Sequence, residues 1–335
     1  MQGLTNSLTP GRLGLQSKRG ITVRLLSLFP KNLYDTKMSP GRTMYLNYTG
    51  SQPGNSLVWS GIGWSNYDKT KSINHNLVSL EAAGEFDAIV VYKGEGISGL
   101  RDCPRTKVLI LNEANNDKLV EEELASSRAG IVVFHHHGDF ANWKWNLSRR
   151  GIVPYNWCHG CPVTPEVAWG DRETSVILSG CTAKSVYPLR HNALLAIQEG
   201  RLDARLLEHP GYRVAGRERI TSQYVEYLEI LSRSKVSICC SSIYKYPLAK
   251  MFESAMAGCV VATDLPDCPL FEKYLWPHCI RLDSQWEPER IAGEISLYTD
   301  DELRERGSAL REAAVKHFSY KNWSDCLTSA VMDNC

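Results

Sequence analysis

The sequence predicts an α/β protein with two parallel-sheet units that face each other across a cleft. The chain has 335 residues, of which 43 % are hydrophobic and 22 % charged, and this suits two globular domains. Continuous apolar runs of strand length alternate with helical patterns, which is typical of parallel sheets covered on both faces. A segment rich in proline and glycine divides this alternation into two series.

The first series of strands is predicted to form one parallel sheet. Its apolar runs lie at 21–29, 86–92, 107–112 and 130–135. The stretch NDKLVEEELASS, between the last two runs, is predicted to be a helix. Segment 31–75 is rich in Gly, Ser, Asn and Tyr and has no clear period, so we expect long ordered loops there.

The second series follows a predicted linker at 149–173. Its strands are predicted at 174–180, 235–242 and 259–264. Its helices are predicted at 192–200, 222–234, 247–258, 287–298 and 300–318. Ligands of open α/β sheets bind outside the carboxyl ends of the strands, so the functional site is expected in the cleft between the two units.

Composition excludes several classes of protein. The net charge of +1 argues against a general nucleic-acid binder, which would be strongly basic. No apolar run approaches the roughly 20 residues that span a bilayer, and the N-terminal stretch has no apolar core of a signal peptide. The 11 cysteines are odd in number and several lie in apolar runs, which predicts buried thiols in a reducing compartment. We therefore expect a cytoplasmic protein without a transmembrane segment.

The helix predicted at 247–258 begins with an unusual group of charges. Lys245 precedes it, and Lys250 and Glu253 lie three residues apart in its first turns. A helix N-terminus binds phosphate readily, two lysines would add positive charge, and a carboxylate can accept hydrogen bonds from a ribose diol. These residues indicate a nucleotide or nucleotide sugar. The alternative is a solvated pair between Lys250 and Glu253 on an exposed helix face.

The same stretch resembles a known family. YPLAKMFESAMAGCVVATDLPD is similar to the donor-site helix of GT-B glycosyltransferases, in the family 1/4-like group that includes CgeB-like enzymes. SGCTAKSVYPLRHNALLAI, LEHPGY and HFSYKNWSDCL resemble the same group. The resemblance implies a GT-B fold with two Rossmann-like domains. It places an acceptor-binding domain at 1–160, a donor-binding domain at 161–317 and a helix that crosses back to the first domain at 318–335.

The resemblance also assigns roles to individual residues. Glu253 would hold the donor ribose. The diphosphate would lie against Lys250 and the backbone of Tyr246, Pro247, Leu248 and Ala249, and Lys245, just before the helix, would add positive charge to the same place. Lys184 and Arg190 would form a second basic wall, and His209 and Tyr212 would contact the nucleobase. Many retaining members have a glutamate where this chain has Lys245, so the stereochemical outcome stays open.

The implied activity is metal-independent transfer of a sugar from a nucleotide-sugar donor, such as a UDP- or GDP-sugar, to a hydroxyl acceptor. The acceptor would be a glycan or a small molecule, the donor would be a co-substrate, and no cofactor or metal is implied. The rival hypothesis is a non-catalytic protein of the same fold that binds nucleotide sugars. Lys245, in place of the glutamate, would mark the loss of activity.

Three adjacent histidines follow the fourth strand, in the motif FHHHGDF. The end of that strand is expected to face the cleft, so His135, His136 and Asp139 are candidates for the base that deprotonates the acceptor. Alternatively, one or two of the histidines only cap the strand. A zinc site is disfavoured, because consecutive residues of an extended chain point to opposite faces.

The motif WCHGC resembles a thioredoxin redox site, but the chain that follows disfavours that function. A thiol with a lowered pKa needs the motif to open a helix, and PVTPEVAWG contains two prolines and a glycine. Cys158 and Cys161 are therefore expected to be linker thiols, which with His159 could bind adventitious zinc. The chain has neither a P-loop motif nor a dinucleotide fingerprint after its first strand, which disfavours P-loop and NAD-dependent proteins.

Overall fold

The structure is a computed structural model. It is described for residues 23–30, 56–60, 72–74, 86–92, 97–208 and 217–334. Within these ranges the chain forms two parallel sheets, one in each half of the sequence. The predicted α/β class with two parallel-sheet units is therefore confirmed. No helix in the described ranges has the length and apolar character needed to cross a membrane.

The first sheet has six parallel strands in the order β2-β1-β3-β4-β5-β6. Their bounds are β1 (Leu25–Pro30), β2 (Ser56–Ser60), β3 (Ala88–Val91), β4 (Thr106–Leu111), β5 (Ile131–Phe134) and β6 (Val153–Asn156). Strands β3 to β5 are rich in Val, Ile and Leu and are buried almost throughout. This is the pattern of parallel strands that are covered on both faces.

Two helices follow β4 and β5. They are α1 (Asp117–Ser127), which begins after the N-cap Asn116, and α2 (His137–Arg149). Helix α2 was not predicted. It buries Asp139, Trp143 and Leu147, which recur every four residues and form its inner face.

Two strands of the first sheet correct the predictions. Strand β2 lies in the segment 31–75 that was predicted to be loops, and it pairs with β1. Strand β6 lies in the predicted linker, which therefore does not begin at 149. Pro154 weakened the strand signal there, but β6 is an edge strand, where proline is tolerated because one side of the backbone needs no partner strand.

The second sheet has five parallel strands in the order β11-β10-β9-β7-β8. Their bounds are β7 (Thr174–Ser179), β8 (Arg205–Leu207), β9 (Ser234–Cys239), β10 (Val260–Thr263) and β11 (Ile280–Arg281). The short strands β8 and β11 were not predicted. Both are edge strands of only two or three residues, too short to give a hydrophobic pattern.

Seven further α-helices lie in the described residues of the second half of the chain. They are α3 (Pro188–Gln198), α4 (Arg217–Ser232), α5 (Ala249–Met256), α6 (Pro269–Tyr274), α7 (Pro288–Ser296), α8 (Asp300–Phe318) and α9 (Tyr320–Asn334). Helix α8 matches its predicted bounds because a capping box of Thr299 and Glu302 fixes its start. Helix α5 packs against α8 and presents its N-terminal end at the carboxyl edge of the sheet.

The last helix leaves the second unit and packs on the first. The chain is extended at Ser319, between α8 and α9, and forms an isolated bridge there with Cys161. The apolar residues Tyr320, Trp323, Leu327 and Val331 of α9 are buried in one core with residues of β3, β4 and β5. One face of the first sheet is thus covered by the C-terminal end of the chain.

Candidate functional site

Two cations converge at the carboxyl end of β7. Lys250, in the first turn of α5, donates a hydrogen bond from Nζ to Ser179 Oγ at 3.2 Å. Gly180 follows with φ +99°, and a Cβ atom there would lie 3.1 Å from Arg190 Nη1 and 3.2 Å from Lys250 Cε. The glycine lets both basic side chains approach the backbone closely. Arg190, Lys250 and this turn are called the basic pocket below.

Both cations of the basic pocket are poorly solvated. Burial lowers the pKa of Lys250 to about 8, with the charge of Arg190 acting in the same direction and Glu253 opposing it. Arg190 is buried, and its Nη1 donates to the Cys181 carbonyl oxygen at 3.3 Å. Its Nε finds no hydrogen-bond partner among the described residues. Two adjacent cations in a low-dielectric site favour an anionic ligand.

Aromatic rings hold these cations in place. Lys250 Nζ lies 4.2 Å from the centre of the Tyr227 ring, and the Arg190 guanidinium lies 4.4 Å from that of Tyr187. Cation–π contacts of this kind fix the direction of a long side chain without neutralising its charge. The basic pocket therefore keeps its positive charge for a ligand.

Glu253 lies beside the basic pocket and is buried. It is 4 % exposed, and it accepts a hydrogen bond from Tyr224 Oη at 3.0 Å. The alternative of a solvated surface pair with Lys250 is therefore wrong. Tyr224 is itself buried, and burial together with the neighbouring carboxylate raises its pKa well above its usual value, so it stays a donor.

The start of α5 differs from the prediction in two respects. The helix begins at Ala249 after the N-cap Leu248, two residues later than predicted. Pro247 has no N–H group, and the Tyr246 N–H already donates to the Ser241 carbonyl oxygen at 2.8 Å. The expectation that Tyr246 presents its N–H to a ligand is therefore not met.

The other two predicted lysines have different surroundings from Lys250. Lys184 is exposed on the connection between β7 and α3. Lys245 has a left-handed backbone with φ +57°, and its Nζ lies 3.6 Å from Asp264 Oδ2. The structure thus pairs Lys245 with a buried acid at the end of β10, so its charge is partly compensated.

The connection from β9 to α5 also touches the first unit. The Tyr246 ring stacks on His136 with centroids 3.8 Å apart and planes 4° from parallel. Tyr246 Oη donates to Asp139 Oδ1 at 3.0 Å, and Ala114 N donates to Asp139 Oδ2 at 2.8 Å. Burial raises the pKa of Asp139, although both hydrogen bonds oppose this. One loop therefore joins the basic pocket to the end of β5.

The histidines predicted as bases are buried in this contact. His135 is fully buried, with Nδ1 3.0 Å from the Trp157 carbonyl oxygen and its ring 4.4 Å from that of His159. His136 is 2 % exposed and Asp139 is 5 % exposed. An acceptor hydroxyl cannot reach these groups while they are covered, so their catalytic role stays a prediction.

The WCHGC motif does not form a redox site. Cys158 and Cys161 are free and buried, and burial raises the pKa of both thiols well above the usual value. Reactive thiols need the opposite shift. In the described part of the chain, no group of three or more His, Cys, Asp or Glu residues is arranged to hold a metal ion.

Several residues of the site were not predicted. On α4, Tyr224 contacts Glu253 and Tyr227 contacts Lys250. Each pair is distant in the sequence, so no local motif predicts it. Glu113 is exposed just after β4, and its charge raises the pKa of both Asp139 and Tyr246, which places it near the contact between the units. The predicted nucleobase residues His209 and Tyr212 lie outside the described residues.

Comparison with known proteins defines the fold as GT-B. No family model and no curated protein matches the sequence. Among solved structures, sucrose-phosphate synthase from Thermosynechococcus elongatus has a TM-score of 0.62 at 13 % identity, covering 93 % of this chain and 99 % of that one. HepE from Anabaena, in complex with UDP and glucose, has a TM-score of 0.60 at 10 % identity, covering 93 % and 100 %. At such identities the likeness establishes the GT-B fold alone, as predicted.

Proposed function

We propose that this protein is a glycosyltransferase that moves a sugar from a nucleotide-sugar donor to a hydroxyl acceptor without a metal ion. The observation that carries the proposal is the basic pocket, where Lys250 and Arg190 meet at Gly180. The pocket lies at the carboxyl end of a parallel strand in a GT-B fold, which is where open α/β sheets bind their ligands.

The chemistry follows from the charges of the pocket. Departure of the nucleoside diphosphate builds negative charge on its phosphate oxygens. Lys250 and Arg190 are fixed, poorly solvated cations, and such groups stabilise developing charge strongly because they need little reorganisation. In this proposal they supply the stabilisation for which other enzymes use a bound divalent ion.

Glu253 is proposed to hold the donor ribose. Its carboxylate oxygens accept hydrogen bonds, as they do from the Tyr224 hydroxyl, and a ribose diol can donate such bonds. The carboxylate is one helical turn beyond Lys250, so a nucleotide whose diphosphate contacts Lys250 could reach it with its ribose. The HepE complex with UDP and glucose supports a nucleotide-sugar donor of this kind.

The proposal is tested by donor turnover. The protein is incubated with UDP- and GDP-sugars, and release of the nucleoside diphosphate is followed with and without EDTA. We expect slow hydrolysis of at least one donor, unchanged by EDTA, because protein cations stabilise the leaving group. Hydrolysis that EDTA abolishes and Mg²⁺ or Mn²⁺ restores would contradict the metal-independent mechanism.

A second candidate function is binding of a nucleotide sugar without catalysis. It is favoured by the burial of His135, His136 and Asp139 and by the pairing of Lys245 with Asp264. The same assay separates the two functions. A protein that binds a nucleoside diphosphate tightly but neither hydrolyses nor transfers from any donor would be a binding protein.

A further inference from the structure

An exposed apolar turn lies beside the basic pocket. It connects β9 to α5 and comprises residues 241–246. Ile243 is 50 % exposed and Tyr244 is 51 % exposed, although both are large apolar side chains. Ser242 and Lys245, on either side of them, have left-handed backbones with φ +63° and φ +57°. Such conformations cost of order 1–3 kcal/mol each outside glycine and cluster at functional sites.

The turn is held rigidly. The Ile243 N–H donates to the Val186 carbonyl oxygen at 2.9 Å, which ties the turn to the connection that carries Lys184. At its base, the Ser241 N–H donates to the buried Asp264 Oδ1 at 2.7 Å. The backbone that carries the two apolar side chains is therefore ordered before any ligand arrives, which lowers the entropy cost of binding.

Tyr244 ends a series of three rings that runs out of the contact between the units. His136 of the first unit stacks on Tyr246 at 3.8 Å, and Tyr246 stacks on Tyr244 at 5.7 Å with planes 24° apart. The first two rings are buried and the third is half exposed. The series places an aromatic surface where the first unit meets the connection from β9 to α5.

We infer that Tyr244 and Ile243 form a binding surface for the pyranose ring of a carbohydrate acceptor. The inference rests on the proposed function and specifies its acceptor class. A pyranose ring offers an apolar face of C–H groups and an edge of hydroxyls. The exposed ring of Tyr244 fits the apolar face, and the exposed charges of Lys184 and Glu113, on neighbouring connections, suit the hydroxyl edge.

Saturation-transfer NMR with maltose and cellobiose tests the inference, with glycerol as a polyol that has no ring. We expect the wild type to bind at least one disaccharide and not glycerol. Tyr244→Ala should weaken that binding at least about fivefold, whereas Tyr244→Phe, which keeps the ring, should stay within about twofold. Trp145→Ala removes another exposed aromatic, on α2, and should leave the affinity unchanged.

Titrations with UDP and GDP separate this inference from the proposed function. A wild type that binds neither nucleotide would overturn the proposed function. If the wild type binds UDP or GDP but neither disaccharide, only the acceptor surface is overturned. The same holds if Tyr244→Ala binds the disaccharides as tightly as the wild type does. If Tyr244→Ala abolishes self-association instead and leaves disaccharide binding intact, the turn is a contact between copies and the inference fails.

Discussion

Lys250 is the residue whose surroundings most clearly indicate a ligand. Its amine is held by Ser179 and Tyr227, next to Arg190, and burial lowers its pKa to about 8. A partly buried cation that served only the fold would be expected to form an ion pair strong enough to offset the effect of burial on its pKa. Glu253 raises the pKa of Lys250, but burial and Arg190 lower it by more, and a bound anion would relieve this electrostatic cost.

The lowered pKa predicts how nucleotide binding depends on pH. A diphosphate favours the protonated amine, so affinity for UDP or GDP should fall as the pH rises through about 8, where free Lys250 loses its proton. Binding near that pH should take up protons, which calorimetry detects in buffers of different ionisation enthalpy. In Lys250→Met the affinity should be lower by roughly 1.5–3 kcal/mol and independent of pH in this range. A wild type whose affinity is flat from about pH 7 to 9.5 would rule out contact between Lys250 and the phosphates.

Gly180 gives a second prediction at the scale of one residue. Gly180→Ala places a methyl group against Arg190 and Lys250 and strains a backbone with φ +99°, so we expect nucleotide affinity to fall and stability to drop by about 1 kcal/mol or more. Gly200→Ala is the matched control, because Gly200 has φ +71° and no atom within 4 Å of its would-be Cβ. Gly200→Ala should lower the stability and leave the nucleotide affinity unchanged. Equal effects of both variants on nucleotide binding would show that crowding of the two cations is irrelevant.

Among elements, the connection from β9 to α5 joins the two units. It carries Tyr246, whose ring covers His136 and whose hydroxyl donates to Asp139. The same connection leads into the turn of α5 that holds Lys250. Any movement of the units against each other must therefore break this contact or carry the basic pocket with it.

Tyr246→Phe tests the strength of that contact. The substitution keeps the stacked ring and removes the hydrogen bond to a buried carboxylate, so stability at neutral pH should fall by about 1–2 kcal/mol. The loss should shrink at low pH. Burial raises the pKa of Asp139, and the protonated carboxyl group needs the donor less. Denaturant unfolding at several pH values measures both effects.

Tyr244→Phe, which removes an exposed hydroxyl two residues away, is the matched control for stability and should cost nothing measurable. If Tyr246→Phe is as stable as Tyr244→Phe at neutral pH, the hydrogen bond to Asp139 does not hold the units together.

The sequence predicts some elements much better than others, for physical reasons. Helix α8 was predicted to the residue because its capping box and amphipathic period are local signals. Strand β6 was missed because Pro154 is a local breaker that only its edge position makes acceptable. Helix α2 was missed because its charged and polar residues obscure a narrow buried face of Asp139, Trp143 and Leu147.

The candidate site shows the same division. Lys250, Glu253 and Arg190 were predicted from one stretch of helix and one strand-to-helix turn that resemble the family. Their partners Tyr224 and Tyr227 come from another helix, α4, and only the packing of α4 against α5 creates the contacts. The burial of Glu253 could not be predicted either. A glutamate three positions from a lysine is usually exposed, whereas Glu253 is buried.

At the scale of the whole molecule, two sheets with separate cores are joined by the linker, by the bridge between Cys161 and Ser319, and by α9. The basic pocket lies at the carboxyl ends of β7 and β9. Asp139, just after β5 in the first unit, is contacted by Tyr246 from the second unit. The central claim is that this edge binds a nucleoside diphosphate through both its phosphates and its ribose.

Paired calorimetric titrations of Glu253→Gln and the wild type test that claim most directly. The substitution keeps the shape of the side chain and removes its charge, so affinity for UDP or GDP should fall by about 1–2 kcal/mol as bonds to the ribose diol weaken. Affinity for inorganic pyrophosphate, which has no ribose, should stay the same or rise slightly, because a negative charge beside the basic pocket is lost. Denaturant unfolding of both proteins measures how much the substitution destabilises the fold through the weakened hydrogen bond between Tyr224 and residue 253. Equal affinity of wild type and variant for the nucleotide, in a folded protein, would contradict the account.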